Sequence, residues 1–462
     1  MQEPNADLSA LAARYCSSGD TAGKWDEKVA FVRSRGSYLY DRDENRFLDM
    51  QMFNSAANFG YAQGELTAAL QNALDTLPGC GGEFITESRV ALAREITEAI
   101  ERRFGVLGRV HFSVSGAQTV DDVLKLIASR KGRRTVFAFE GGYHGRTIAA
   151  SNISASFRYR NPFAQTADAR FVPFPNCTRC PYGKELATCR YYCADQFTRL
   201  FDSELSGVVD SRNGDCETSA FVVEPVLGRG GYLAPPPDYF RKIENTLRAH
   251  DVLLVADEIQ MGFFRTGRLW SVEHFGVRPD IILFGKAITN GMFPVSGFWA
   301  RADLLDAAHW PPSSTHTTFG GHPLGMAAAL GVFDLLRRHD FTALAESAGA
   351  KLECVLREIA ARDPSIRNIR RLGLAISVEL CRPNSDKPYP ELASLVKRLG
   401  VLAPIRNRKG QTAEGLILTT GGYNDNIFML SPSLFISDLE IEQFGELFWA
   451  FMSRAQRQLV AA

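Results

Sequence analysis

Two ionisable residues close apolar runs in the middle of the chain: VLLVADEIQ leads into Asp257, and DIILFGK ends on Lys286. An ionised carboxylate at the end of a buried strand is costly unless it meets a cation or a strong donor. A lysine held beside apolar residues is a candidate Schiff-base amine. Each has a plainer reading when taken alone, a helix cap for the Asp and a non-catalytic strand-end cation for the Lys. Their joint placement favours chemistry, because ligands of open α/β sheets bind at the carboxyl ends of strands.

Three further segments supply what such a pair lacks. In SVSGAQTVDDVLKL, the residues Ser115, Gly116 and Ala117 lie between a short strand and a helical pattern. Free backbone amides and the helix dipole suit a phosphate there, though a lone Ser-Gly signal is weak. EGGYHGRT holds the aromatic Tyr143 in a Gly-rich turn, and THTTFGGHPLG, which contains Thr318, is a second Gly turn preceded by hydroxyls. A phosphate seat, a stacking ring, a buried carboxylate and a lysine are together the set that pyridoxal phosphate requires.

The elements that position these residues alternate in type. VHFSV (110–114), TVFAFE (135–140), AFVVE (220–224), VLLVADE (252–258) and DIILFGK (280–286) read as buried strands separated by helix-length segments. Val120, Val123, Leu124 and Ile127 recur at helical spacing. This pattern predicts an α/β large domain over 65–325 with a mostly parallel sheet covered on both faces. The stretch 36–50 reads as a hairpin about Asp43, Glu44 and Asn45, within an N-terminal segment 1–64. From 326 to 462, helices precede isolated strands such as LGLAISVEL and the Gly-rich TTGGYND, an α+β pattern assigned to a smaller domain completed by the N-terminal segment. A Cys/Pro-rich stretch, 173–193, reads as an insertion or surface loop.

Composition narrows the class of protein. The 462 residues are 45% hydrophobic and 23% charged, as in an ordinary globular protein, which excludes a disordered chain, a collagen or a coiled coil. Lys+Arg and Asp+Glu both number 52, so no net field draws in nucleic acid or an anionic membrane. No run approaches the ~18 apolar residues of a membrane span. The N-terminal residues lack the basic and apolar regions of a secretory signal, and nine cysteines, an odd number, fit a reducing compartment. A cytoplasmic location is expected.

On these motifs the chain resembles the class III aminotransferases, the ornithine, 4-aminobutyrate and lysine-epsilon group of fold type I pyridoxal phosphate enzymes. The resemblance runs from GSYLYDRDENRFLDM to MLSPSLFIS and is most specific in DEIQMGFFRTG followed by DIILFGKAITNG. It implies that Lys286 forms the internal aldimine and that Asp257 pairs with the pyridinium nitrogen. It also implies that Ile259 and Tyr143 cover the two ring faces and that Gln260 bonds the phenolic oxygen. Gly116 and Ala117, beside Ser115, would hold the phosphate by backbone amides. Thr318 would reach the phosphate across a dimer interface, making the protein a homodimer with shared sites that acts on a small amino substrate.

Departures from the family pattern bear on the substrate. Where relatives that use 2-oxoglutarate carry a carboxylate-binding Arg in R-x-x-P-P-L, this chain reads MLSPSL, with Met429. Where they carry a Glu in E-P-x-x-x-E-G-G, it reads EPVLGRGG, with Arg229. Arg229 is therefore the candidate substrate anchor, against the simpler reading of a solvated side chain. Gln118, His322 and Tyr61 stand where Glu, Asn and His are usual. The expected activity is that of an aminotransferase acting through an external aldimine and a quinonoid, with a non-standard carboxylate anchor. A racemase, and a lyase or carbon–carbon bond-forming enzyme, share the same carbanion. A non-catalytic nucleotide-binding α/β protein is a remote alternative.

Cys177, Cys180, Cys189 and Cys193 have the count for a tetrahedral zinc site or an iron–sulfur cluster. Some relatives, including mitochondrial 4-aminobutyrate aminotransferases, bind such a cluster at the dimer interface. The gap between the second and third cysteines is short for a zinc ribbon, and reduced thiols in a loop, with no metal, are the reading adopted. His144, within EGGYHGRT, is expected to be a bond former behind the cofactor rather than a base.

Overall fold

The apolar runs come together in one sheet. The computed structural model describes residues 5–20, 29–131, 135–156, 169–205, 207–406 and 413–461. Seven strands form the sheet that positions the site: β1 (Gly108–Ser113), β2 (Thr135–Phe139), β3 (Ala169–Val172), β4 (Thr218–Val223), β5 (Leu253–Asp257), β6 (Ile281–Phe284) and β7 (Ser296–Arg301). Their order is β1-β7-β6-β5-β4-β2-β3. The pairs β2/β3, β2/β4, β4/β5 and β5/β6 are parallel, and only β7 runs against its neighbours.

Every residue of β4, β5 and β6 is buried, as a sheet covered on both faces demands. Alternation along the strands sorts the two faces. On one, Val136, Ala220, Val222, Val255, Ile281 and Leu283 pack with Val120, Val123, Leu126 and Ile127 of the helix α1 (Gly116–Lys131). On the other, Phe137, Phe139 and Phe221 make ring contacts with Phe197 of the helix Tyr192–Asp202 and Phe174.

The chain divides into two compact units, one of Phe53–Asn58 and Gly64–Ala345, the other of Met1–Met52, Phe59–Gln63 and Glu346–Ala462. The boundary thus falls beyond the 326 expected. The helix Pro323–Arg338 stays with the seven-stranded sheet because its Gly325 abuts Val295 and Phe293, and its Gly331 abuts Leu66.

In the other unit, Tyr38–Asp41 and Arg46–Asp49 form the expected hairpin, with Glu44 at φ 58° in its turn. Arg46–Asp49 also pairs in parallel with Ala413–Ile417. Ile366–Leu372, a strand the apolar pattern does not disclose, pairs antiparallel with Ala375–Leu380. Its Arg370 and Arg371 are neutralised by Glu379, Glu346 and Glu353 at 2.6–2.9 Å, and its Arg367 by Asp386 at 3.0 Å.

Candidate active site

The strand order places four loop openings in a row. At the carboxyl ends of β6, β5, β4 and β2 stand Lys286, Asp257, Glu224 and the turn that carries Tyr143. The start of α1 opens on the same edge, because β1 runs parallel to β6 on the far side of β7. All the residues singled out as cofactor ligands therefore belong to one unit.

Asp257 is 5% exposed and bonded on both oxygens. Oδ1 accepts the amide of Ile259 at 3.2 Å, and Oδ2 lies 2.8 Å from Nδ1 of His144. Burial works against a charged His144 ring, but the bond to Asp257 and its charge, joined by Glu224, outweigh it and hold the ring above its ordinary value. Nε2 of the same ring is buried with no partner among the described residues. His144 is thus the bond former expected, positioned by its own amide on Ser154 Oγ at 2.9 Å.

Lys286 follows the extended Gly285 and has φ 46°. That left-handed conformation costs a residue with a Cβ roughly 1–2 kcal/mol, and strain of this kind concentrates at functional sites. Burial lowers its amine below the ordinary lysine range, while the negative charges of Asp257 and Glu224 oppose the shift. A neutral amine is correspondingly more accessible near neutral pH.

Ile259 bridges the lysine loop and the helix start. Its side chain lies 3.0 Å from where a Cβ on Gly116 would stand and 3.4 Å from the equivalent point on Gly285. The first turn of α1 leaves the amides of Gly116 and Ala117 without acceptors inside the helix, while Ser115 Oγ accepts the amide of Gln118 at 3.3 Å. Gly145, at φ 139°, backs onto Ala117, where a Cβ would come within 2.7 Å of the alanine methyl. Only glycine serves there, on both conformation and space. It brings the EGGYHGRT turn against the helix start.

Sequence reasoning took Glu224 only as a strand end. The structure makes it the brace of the site: Oε1 accepts the amide of Tyr143 at 2.8 Å and Oε2 that of Gly228 at 2.9 Å. Burial pushes its carboxyl up to about 7, with the charge of His144 opposing. The available signal was the one used for Asp257, a lone carboxylate ending a continuous apolar run. Gly228 also touches Gln260, whose Oε1 lies 2.2 Å from where a glycine Cβ would be, and Gln260 Nε2 donates to the Tyr232 hydroxyl at 3.4 Å. Arg229, the next residue, is half-buried in this turn.

The departures are placed as follows. Met429 is buried on the strand Ile427–Leu430, between Ser377 and Thr419. Tyr61 donates its hydroxyl to Asp49 at 2.7 Å. Gln118 Oε1 accepts the amide of Val114 at 3.2 Å, and the His322 ring stacks on Phe293 with centroids 5.0 Å apart. Thr318 is exposed, in a turn that also exposes Phe319. Cys177, Cys180, Cys189 and Cys193 are free, half-buried thiols that line one recess. Among the described residues no group of three Cys, His, Asp or Glu is arranged to hold a metal ion, and no helix is long and apolar enough to cross a membrane.

A family model described as Aminotransferase class-III matches residues 21–451. The chain belongs to the class III aminotransferases. It is an enzyme of fold type I whose cofactor is pyridoxal phosphate. Among curated relatives, a probable 4-aminobutyrate aminotransferase of Bacillus subtilis is 30% identical over 88% of this chain and 89% of its own. A leucine/methionine racemase of Thermococcus litoralis is 29% identical over 80% and 81%. A solved aminotransferase of Bacillus anthracis superposes with a TM-score of 0.82 at 26% identity, covering 97% of this chain and 98% of that one.

Proposed function

We propose that this aminotransferase acts on an amino acid or amine at the row of strand ends, with Lys286 and Asp257 as its catalytic residues. The observation that carries the reading is the desolvated Lys286 amine, in a left-handed conformation beside the strand that ends at Asp257. The residues fit the cofactor. The first-turn amides of Gly116 and Ala117, beside Ser115, suit its phosphate. The glycine at 116 lets a ligand approach Ile259, and the buried Asp257 carboxylate suits a ring nitrogen. Tyr143 and Ile259 would cover the ring faces, and Gln260 would meet the phenolic oxygen.

Pyridoxal phosphate supplies an electron sink for a carbanion beside the amino nitrogen. The rest is done by the chain. Lys286 Nζ would hold the cofactor at the end of β6. Its amine, with its proton affinity lowered by burial, would take and hold the proton from the substrate Cα. Asp257, fixed by His144 and by the Ile259 amide, keeps its negative charge aimed in one direction. Glu224 ties the Tyr143 turn to the Gly228 turn, so the aromatic cover and Arg229 are held by one buried carboxyl. Arg229 would anchor the substrate's carboxylate in place of the family arginine.

The exposed turn at Thr318 supports a homodimer with shared sites. Phe84, Ile85 and Phe319 are 61%, 88% and 62% exposed. Their loops lie together, since a Cβ on Gly82 would meet Thr317 O at 2.9 Å and Arg89 bonds Gly82 O at 2.7 Å. An exposed apolar patch of this kind marks an interaction surface, and Thr318, next to Phe319 in the chain, would serve a second copy there. The nine cysteines, with no disulfide among the described residues, support a cytoplasmic location.

The test is a single-turnover experiment with candidate amines in deuterated water, without an acceptor. Transamination requires stoichiometric release of a carbonyl product. Cα deuteration with no carbonyl product would instead point to racemisation or bond formation.

A further inference from the structure

We propose that His111, Asp122 and Thr315 are positioning residues for the cofactor phosphate of a second copy of the chain, acting through the loop that presents Thr318, a role that rests on the shared-site homodimer proposed above.

The loop has two feet on one strand. Thr315 Oγ1 lies 3.0 Å from Nε2 of His111 on β1. Further on, the backbone returns to the same strand, where a Cβ on Gly320 would meet the Phe112 carbonyl oxygen at 3.1 Å. Between the feet, Thr318 and Phe319 are exposed. Closing so short a span at both ends removes most of its freedom. The placement of Thr318 therefore follows from the placement of the feet.

The His111 foot is built into the core. His111 and Ser113, two apart on β1, share a face of the strand, and the buried Asp122 of α1 meets both. Its Oδ2 accepts the Ser113 hydroxyl at 2.7 Å and lies 3.5 Å from His111 Nε2. That carboxylate favours the tautomer with the proton on Nε2, which then donates to Thr315 Oγ1. The ring itself is clamped: it stacks on Phe298 of β7 with centroids 5.0 Å apart and meets Trp310 edge-on at 6.3 Å.

The same helix grips the loop again upstream of Thr315. Asp122, Lys125 and Ser129 recur at spacings of three and four, which puts them on one face of α1. Lys125 Nζ donates to the Ser314 carbonyl and Ser129 Oγ to that of His309 at 3.1 Å. These two bonds are exposed, so the His111 foot is the main hold. One helix thus serves two sites. Its first turn offers the amides of Gly116 and Ala117 to the phosphate in its own chain, while Asp122 steadies the loop that would reach the phosphate in the other.

The test titrates the full chain, stripped of cofactor, with pyridoxal phosphate and reads the visible absorption band. Thr315→Val removes the hydroxyl and keeps the shape. It should weaken affinity roughly 2- to 10-fold, the value of one hydrogen bond, and Thr315→Ser should restore it. His111→Phe, which keeps the ring stacking, should match Thr315→Val, and the two changes together should cost no more than either alone. The decisive arm is intersubunit. Mixed with Lys286→Ala protomers, Thr315→Val protomers should form heterodimers whose Lys286-bearing site, read as the cofactor that borohydride fixes to the chain, has wild-type affinity, because its loop comes from the other copy. A Lys286-bearing site as weak as in the Thr315→Val homodimer would mean that the hydroxyl acts within its own chain, and overturns the proposal. So does native affinity in Thr315→Val and His111→Phe while Thr318→Ala is weakened. Native affinity in Thr318→Ala as well overturns the shared-site reading, and this role with it.

Discussion

His144 Nδ1 and Asp257 Oδ2 are 2.8 Å apart, both buried at the carboxyl end of the central sheet. The pairing fixes the direction in which the carboxylate points, and its bonds here come from His144 and the Ile259 amide. Asp257→Asn should lower kcat by roughly 10- to 150-fold or more, the equivalent of the ~1.5–3 kcal/mol of a charge-assisted bond. His144→Ala should be milder and should act mainly on the pH profile of kcat, since it removes the group that orients Asp257. Steady-state kinetics over pH checks both, and near-native turnover in Asp257→Asn would reduce that residue to a structural cap.

Lys286→Ala should abolish turnover yet leave cofactor in the site, because the α1 amides, Asp257 and the ring-covering residues remain. Absorbance and borohydride treatment separate the outcomes. Wild type should yield a reduced, irreversibly attached cofactor, whereas the variant should release it on denaturation. Appreciable turnover by the variant would remove Lys286 from the mechanism.

Glu224 has a carboxyl raised to about 7 from an ordinary 4.5, with burial as the main cause. Between those values the folded protein holds a proton that the unfolded chain has released. Its contribution to stability is therefore fully present below the unfolded value and is lost as pH rises through about 7. At 1.36 kcal/mol per pKa unit this is up to about 3 kcal/mol. In cofactor-free protein, Glu224→Gln should flatten the dependence of unfolding free energy on pH between roughly 5 and 7 relative to wild type. Denaturant titrations giving parallel slopes for the two proteins would contradict the shift.

Asp257 and Lys286 were legible because each interrupts a continuous apolar run with one charge, and a parallel sheet places such interruptions on one edge. Glu224 ended a run of the same kind but escaped as a site residue. Its partners are the backbone amides of Tyr143 and Gly228, which reach it from two separate loops and leave no mark in side-chain spacing. The left-handed φ of Lys286 was equally invisible, since it depends on packing around Gly285 rather than on a turn-forming residue type. Ile366–Leu372 was missed because arginines neutralised by distant glutamates made a strand look like polar loop.

Thr318→Ala should weaken cofactor affinity by about 0.5–1.5 kcal/mol, the net value of one hydrogen bond, although the residue is exposed in its own chain. The effect should be intersubunit. Heterodimers formed from Lys286→Ala and Thr318→Ala protomers should have one site free of both changes and one carrying both. Cofactor titration of the mixed sample should then show a population with wild-type affinity and activity. Two independently damaged sites would rule out the shared arrangement.

Arg229 follows Gly228, whose amide is bonded to Glu224 and whose Cα faces Gln260, so its backbone lies beside the expected cofactor position. Met429, which the family resemblance aligns with the anchor arginine, has no charge to offer and is buried on its own strand. An anionic substrate therefore needs another cation, and a guanidinium can take a carboxylate through two parallel hydrogen bonds where an ammonium cannot. Arg229→Ala should raise KM for the physiological substrate by roughly 10- to 150-fold, matching ~1.5–3 kcal/mol, with a smaller change in kcat. Arg229→Lys should recover only part of the loss, because the charge returns without the planar fork. Arg229→Glu combined with Met429→Arg should lower native activity and admit 2-oxoglutarate as acceptor, which coupled assays of product formation can detect. Native KM in Arg229→Ala would move substrate recognition to residues other than this one.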